Sequence, residues 1–156
     1  VIENNRYAMG TSAERASAET EFYKRGVAFR IPGDEVDGMD VMAVREASHK
    51  AVSHARAGEG PYILEMETYR YRGHSMSDPA KYRTREEVKD VRDHRDPIEL
   101  FRKVLIDAGH ADEDQLKAIE KDIRARVAKS AEFAQESPEP DEAELWTDVL
   151  IEEAGQ

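Results

Sequence analysis

A chain of 156 residues with 39% hydrophobic side chains is long enough for one domain with its own core and leaves room for an exposed tail. Its 34 acidic against 23 basic side chains give a formal charge of -11, which repels phosphate backbones and anionic lipid and argues against generic nucleic-acid or membrane binding. It contains no cysteine, so a disulfide framework and a thiolate metal site are both excluded and a reducing compartment is permitted.

The opening residues Val1-Ile2 run into Glu3-Asn4-Asn5 and read as the last turn of a strand that began earlier, so a longer chain is expected. From Arg6 to Gly38 turn chemistry dominates: "MGTSAERASAET" is small and polar, "EFYKRG" is one or two helical turns, and "IPGDEVDG" is rich in breakers. This stretch is expected to be mostly ordered loop. Asp40 as N-cap, an apolar face of Val41, Val44, Ala51, Val52 and Ala55, and Gly58 as a stop predict a helix over 40–57. After "GEGP", the run "YILEMET" alternates Tyr62, Leu64, Met66 and Thr68 with Ile63, Glu65, Glu67 and Tyr69, the period of a strand.

A helix leading by a short turn into a strand is half of a parallel βαβ unit, which makes the fold class α/β. Ligands of such sheets gather at the carboxyl ends of strands. Both "ENNRY" and "TYRYRGHS" begin there, so the two loops are treated as one site.

Beyond the second loop, residues 68–87, the character changes. Asp96-Pro97-Ile98-Glu99 supplies an N-cap, a first-turn proline and a glutamate, with Phe101, Val104 and Leu105 following and Gly109 as a stop. Asp112 and Gln115 repeat the box for a longer helix with Leu116, Ile119, Ile123, Val127, Ala131 and Ala134 on one stripe. "ESPEPDEAE" breaks that helix, and "LWTDVL" offers a last apolar patch around Trp146. The organisation read from the chain is therefore 1–95 as the later part of a ligand-binding domain and 96–156 as a helical tail and arm.

Several residues could do chemistry. Asn4 and Asn5 present carboxamide and backbone oxygens of the hard, neutral kind that suits Mg²⁺ beside phosphate; the plain alternative is an Asx turn. His74, between Gly73 and Ser75, lies among Arg70, Arg72, Arg83 and Arg85. Arginines fork onto phosphate oxygens and an imidazole donates to them or shuttles a proton; the alternative is a solvated basic loop pairing with the acidic tail. His49 and His54 lack metal-ligand spacing, His94 and His110 sit at polar helix ends, and no Gly-x-Ser-x-Gly elbow surrounds Ser75 or Ser77. Asp78-Pro79 reads as a turn, and Glu86, Glu87 and Glu99 as solvated helix faces and caps.

Taken together, "ENNRYAMGTS" and "TYRYRGHSMSDPAKYRTREE", with "VDGMDV" between them and "DPIELFRKVLIDAG" and "PEP" after them, resemble the alpha subunits of the decarboxylating component of pyruvate dehydrogenase complexes. The resemblance covers nearly the whole chain. It implies part of a thiamine-diphosphate-binding fold, a parallel sheet with flanking helices, followed by a helical C-terminal tail. It implies thiamine diphosphate and Mg²⁺ as cofactors, the metal held by the Asn5 side-chain oxygen and the Tyr7 carbonyl, with an aspartate of a preceding Gly-Asp-Gly motif completing the protein ligands. His74 is implied at the diphosphate and as the catalytic residue, and Arg70 as bracing the loop. The implied partners are a beta subunit in an alpha2-beta2 enzyme, the lipoyl-bearing dihydrolipoamide acetyltransferase, and pyruvate as substrate; acetoin or another 2-oxoacid remains an alternative substrate.

Ser75 and Ser12 match two phosphorylation sites of animal relatives, while a third is missing because "DPAKY" is one residue shorter and carries lysine. This points to a bacterial, cytoplasmic enzyme with Ser75 unmodified; the mitochondrial matrix is the alternative compartment. From a different class comes the competing expectation of a non-catalytic assembly module whose acidic helices over 96–136 bind a partner.

Overall fold

The computed structural model describes residues 1–147. The chain enters as β1 (Ile2–Asn4), forms a small hairpin of β2 (Tyr7–Ala8) and β3 (Thr11–Ser12), and continues through a short helix α1 (Ala13–Ala16) and a 3-10 segment (Phe22–Phe29). Then come β4 (Gly33–Asp37), α2 (Val41–Arg56), β5 (Ile63–Glu67), α3 (Arg85–Arg95), α4 (Pro97–Asp107), α5 (Glu113–Glu136) and a second 3-10 turn (Glu142–Leu145). Among the described residues β1, β5 and β4 form a three-stranded parallel sheet in that order, so the α/β class read from the sequence holds.

Helix α2 forms because Asp40 Oδ1 accepts from the amides of Met42 at 2.8 Å and Ala43 at 3.2 Å, satisfying donors that the first helical turn leaves open. It stops at Gly58, whose φ of +79° favours glycine. The face it buries matches the expected one only in part, at Val44 and Ala51. Ala43, Val44, Ala47 and Ala51 pack on Val36, Leu64 and Met66, whereas Val41 and Val52 are exposed; alanines let the helix approach the sheet more closely than a valine stripe would.

Strand β5 runs from Ile63, with Tyr62 just outside, and sits between two neighbours. Leu64 and Met66, 4% and 7% exposed, face α2, each contributing about 1.5–3 kcal/mol of burial. The opposite face carries Glu65, fully buried, against the 3-10 segment, where the Tyr23 amide donates to its Oε2 at 2.9 Å. On the α2 side Lys50 Nζ lies 2.6 Å and the Tyr62 hydroxyl 2.8 Å from Asp34 Oδ2; Lys50 first, then Tyr62, lowers the Asp34 carboxyl against the opposing effect of burial.

Several elements were not legible, among them β2, β3 and α1, which fall in the stretch expected to be mostly loop. The breaker-rich "GDEVD" forms β4, paired in parallel with β5 from Gly33↔Ile63 to Asp37↔Glu67; backbone pairing with a buried strand overrides its low strand propensity. Residues 85–87, assigned to the second loop, are the first turn of α3, capped by Thr84 Oγ1 accepting from the Glu87 amide at 3.0 Å.

The compact units divide after His110, into Val1–His110 and Ala111–Gln156, while the change of character read from the sequence lies at Asp96, between α3 and α4. Asp96 Oδ1 caps α4 through the Ile98 amide at 2.9 Å, and Gly109 follows with φ +69°. In the second unit both halves of the expected capping box form: Gln115 N to Asp112 Oδ1 at 2.8 Å and Asp112 N to Gln115 Oε1 at 2.9 Å. The α5 stripe is open, with Ile119, Ile123 and Val127 at least half exposed. Leu145 and Trp146 are also exposed; the rest of the apolar patch expected there, residues 148–150, lies outside the described residues. No helix among the described residues is long and apolar enough to cross a membrane.

Candidate functional site

The carboxyl ends of β1 and β5 lie side by side: Asn4 pairs with Glu67, and the Thr68 amide donates to the Asn4 carbonyl at 2.9 Å. The two loops singled out from the sequence leave from these adjacent ends.

In the first loop the two asparagines part company. Asn4 is buried and turns inward, its Nδ2 donating to Glu65 Oε1 at 2.7 Å and its Oδ1 accepting from the Arg6 amide at 2.9 Å. Asn5 is half-buried, its Oδ1 accepting from the Tyr7 amide at 3.2 Å and its carbonyl from Arg83 Nη2 at 2.9 Å. Both make the Asx turns that the plain reading anticipated. Arg6, which follows them, takes a left-handed φ of 67° and pairs with Glu67, so the chain reverses at once into the β2-β3 hairpin. Ser12 Oγ then caps α1, accepting from the Arg15 amide at 3.3 Å.

The second loop is organised by Asp78, which sequence reasoning took only for a turn. Its carboxylate accepts from the His74 amide at 2.8 Å, the Ala80 amide at 2.9 Å and the Tyr82 hydroxyl at 2.7 Å. These donors, the His74 amide foremost, hold its carboxyl below the usual range, and Asp78 in turn raises the Tyr82 phenol. Gly73 is required here: a Cβ on it would stand 2.6 Å from the Asp78 carbonyl oxygen.

His74 is exposed, with Nδ1 3.1 Å from Arg70 Nη1. Because guanidinium has no acceptor, Nδ1 must accept, which puts the ring proton on Nε2. Ser75 is also exposed, its Oγ 3.0 Å from that of Ser77.

Asn5, Tyr7, Arg70 and His74, all four cofactor-contacting candidates, line one hollow of about 450 Å³ together with Ala8, Met9 and Tyr82. Ser12 and Ser75 are not part of that lining. Arg83 corrects an expectation. It was grouped with arginines free to fork onto phosphate, yet it is 8% exposed and both terminal nitrogens are committed, Nη1 to the Arg70 carbonyl and Nη2 to the Asn5 carbonyl, each at 2.9 Å. Around it stand the rings of Tyr7, Tyr69 and Tyr82. Burial first, then the Tyr69 hydroxyl's 2.9 Å bond to Glu87, pushes the Tyr69 phenol up to about 12. Sequence reasoning missed Glu65 as well; its one signal was a carboxylate in the middle of a strand too apolar to be an edge.

Residues 1–143 match the dehydrogenase E1 component family. The chain is 61% identical over 151 residues to the alpha subunit of the pyruvate dehydrogenase E1 component of Rhizobium meliloti, covering 97% of this chain and 43% of that protein. It is 53% identical to the corresponding subunit of Zymomonas mobilis, over 97% of this chain and 42% of that one. Against the human somatic mitochondrial form the identity is 49%, over 93% and 37%. The chain thus spans about two fifths of the length of these curated relatives, and its own residues 1–143 carry the family pattern: the chain belongs to the dehydrogenase E1 component family.

Proposed function

We propose that the chain forms part of the alpha subunit of a thiamine-diphosphate-dependent pyruvate dehydrogenase E1. In this reading it acts with a beta subunit in an alpha2-beta2 enzyme that decarboxylates pyruvate and passes the acetyl group to the lipoyl group of a dihydrolipoamide acetyltransferase. The supporting observation is that Asn5 and Tyr7 from one loop and Arg70 and His74 from another line a single hollow beside the carboxyl ends of two adjacent parallel strands. Bacterial cytoplasm is the compartment this reading favours, with the mitochondrial matrix as alternative.

The donor set fits the charged end of such a cofactor. The Asn5 carboxamide oxygen and the Tyr7 carbonyl are neutral hard oxygens of the kind Mg²⁺ takes alongside phosphate. Arg70 and His74 bring a guanidinium and a ring N–H for diphosphate oxygens. A hollow of about 450 Å³ has the size of a small-molecule site. Among the described residues no group of three or more His, Cys, Asp or Glu is placed to hold a metal; the metal would arrive with the diphosphate, its remaining protein ligand an aspartate of a Gly-Asp-Gly segment elsewhere in the full-length subunit.

When bound, thiamine diphosphate supplies the electron sink that lets a 2-oxo acid lose CO₂. The chain's own residues hold and orient. Asn5 and Tyr7 fix the metal, Arg70 sets the His74 ring, and His74, with its proton on Nε2, donates to an acceptor in the site and takes the proton back.

The open α5 stripe favours a second reading, an assembly module that binds a partner through its helices. A calorimetric titration separates the two. Thiamine diphosphate binding that requires both Mg²⁺ and the beta subunit supports the enzyme reading; tight partner binding indifferent to cofactor supports the module.

A further inference from the structure

We propose that Arg83 is the positioning residue of the hollow, a buried guanidinium that joins the two loops and sets the geometry of the groups that would meet the cofactor; this role rests on the function proposed above. Of the seven residues lining the hollow, four touch Arg83, which is itself not in the lining: it donates to the carbonyls of Asn5 and Arg70 and lies against the rings of Tyr7 and Tyr82. A fifth is reached indirectly, because Tyr82 donates to Asp78 and Asp78 accepts from the His74 amide.

The chemistry requires arginine. The two carbonyls belong to residues 65 positions apart in the chain, and a planar fork reaches both with separate nitrogens. Among the described residues no carboxylate pairs with it. Its charge is met instead by three phenol rings, whose centroids lie 4.9 Å (Tyr7), 4.9 Å (Tyr69) and 5.3 Å (Tyr82) from Cζ, a favourable arrangement for a desolvated cation. Arg83 Nε is buried without a partner, so the site accepts one unsatisfied donor to keep the fork in place. A lysine would carry the charge but has neither the fork nor the plane that stacks on Tyr7 and Tyr82.

The test uses the full-length alpha subunit assembled with its beta subunit, comparing wild type, Arg83→Lys and Arg83→Met. Two quantities are read: affinity for thiamine diphosphate with Mg²⁺ by calorimetry, and amide hydrogen exchange at His74, Ala80 and, as an internal control, Leu64. The expected result is at least about a tenfold loss of affinity, the scale seen when groups supporting metal ligands are removed, with faster exchange at His74 and Ala80 and none at Leu64. Arg83→Lys that binds cofactor within about twofold of wild type and keeps both loop amides protected overturns the proposal. Should Arg83→Met fail to assemble, Arg83→Lys decides. Should wild type itself not bind the cofactor, the functional reading falls, and the exchange data alone decide whether Arg83 orders the loops.

Discussion

Asn4→Asp is the substitution that most directly probes the frame beneath the site. Asn4 Nδ2 stands 2.7 Å from Glu65 Oε1; Glu65 is fully buried and Asn4 is 6% exposed. Aspartate keeps the shape and the Oδ1 bond from the Arg6 amide, but it replaces the donor with a second carboxylate oxygen. Loss of a hydrogen bond to a charged group costs about 1.5–3 kcal/mol. Two like charges about 4 Å apart at an effective dielectric of about 20 repel by about 4 kcal/mol. The sum, on the order of 6 kcal/mol, is an upper bound because the pair can instead hold one proton between its oxygens. Denaturant melting of the full-length subunit gives the midpoint for Asn4→Asp and for Asn4→Asp/Glu65→Gln, which exchanges donor and acceptor and should recover most of the loss. A single variant within about 0.5 kcal/mol of wild type at pH 7 would show that the Asn4–Glu65 contact does not hold β1 to β5.

Asn5→Ala should raise the dissociation constant for Mg²⁺-thiamine diphosphate by about 10–100-fold without changing the melting midpoint, as measured by calorimetry and thermal unfolding; unchanged affinity removes Asn5 from the site. His74→Ala should slow reductive acetyl transfer to a lipoyl domain more than it weakens cofactor binding, and equal losses in the two assays would make His74 a binding residue only. For Asp78, whose carboxyl is held low by the His74 amide, the Tyr82 hydroxyl and the Ala80 amide, a lowered folded-state pKa stabilises the ordered loop above the ordinary carboxyl pKa of about 4 and withdraws that stability as pH falls through the lowered value. Exchange protection of the His74 amide should thus persist from neutral pH down to about 5 and fail only below about 4; failure well above 5 contradicts the assignment. Ser75→Glu should weaken cofactor binding, since charge added beside His74 opposes an anionic ligand, and mass spectrometry of material from the native host should find Ser75 unmodified.

The sequence made the local elements legible where one rule acted alone. Asp40 and Asp112 are caps with the right following residues, Gly58 and Gly109 take the positive φ that a helix stop needs, and the alternation in "ILEME" is a strand. That the two loops form one site was legible because both leave the carboxyl ends of parallel strands, while Tyr7 and Arg70 were singled out only through the resemblance. What stayed hidden depends on contacts distant in the chain. β4 exists through its pairing with β5, and α2 chooses its alanine face through its fit to Val36 and Leu64. Nothing local distinguishes Arg83, buried, from Arg72 and Arg85, exposed. Asp78 likewise looks like half of an Asp-Pro turn until Gly73 is seen packed against its backbone.

The residues whose roles were not legible share a property that bears on how the site works. Glu65, Asp78 and Arg83 carry charge, and each is engaged by groups remote from it or from a different turn of the loop. The candidates that line the hollow, half-buried Asn5 and exposed His74, are positioned through these contacts, since Arg83 holds the Asn5 carbonyl and Asp78 the His74 amide. A hollow framed by directional bonds keeps its shape only while the bonds that join its loops are made, which an apolar frame of the same size would not require. Substitutions in the frame should therefore cost more function than their distance from the hollow suggests, and the ordering of effects on cofactor affinity should be Arg83→Lys and Asn5→Ala above any change confined to the Leu64 and Met66 face, where lost packing costs about 2–5 kcal/mol of stability per truncation while leaving the loops' own bonds intact.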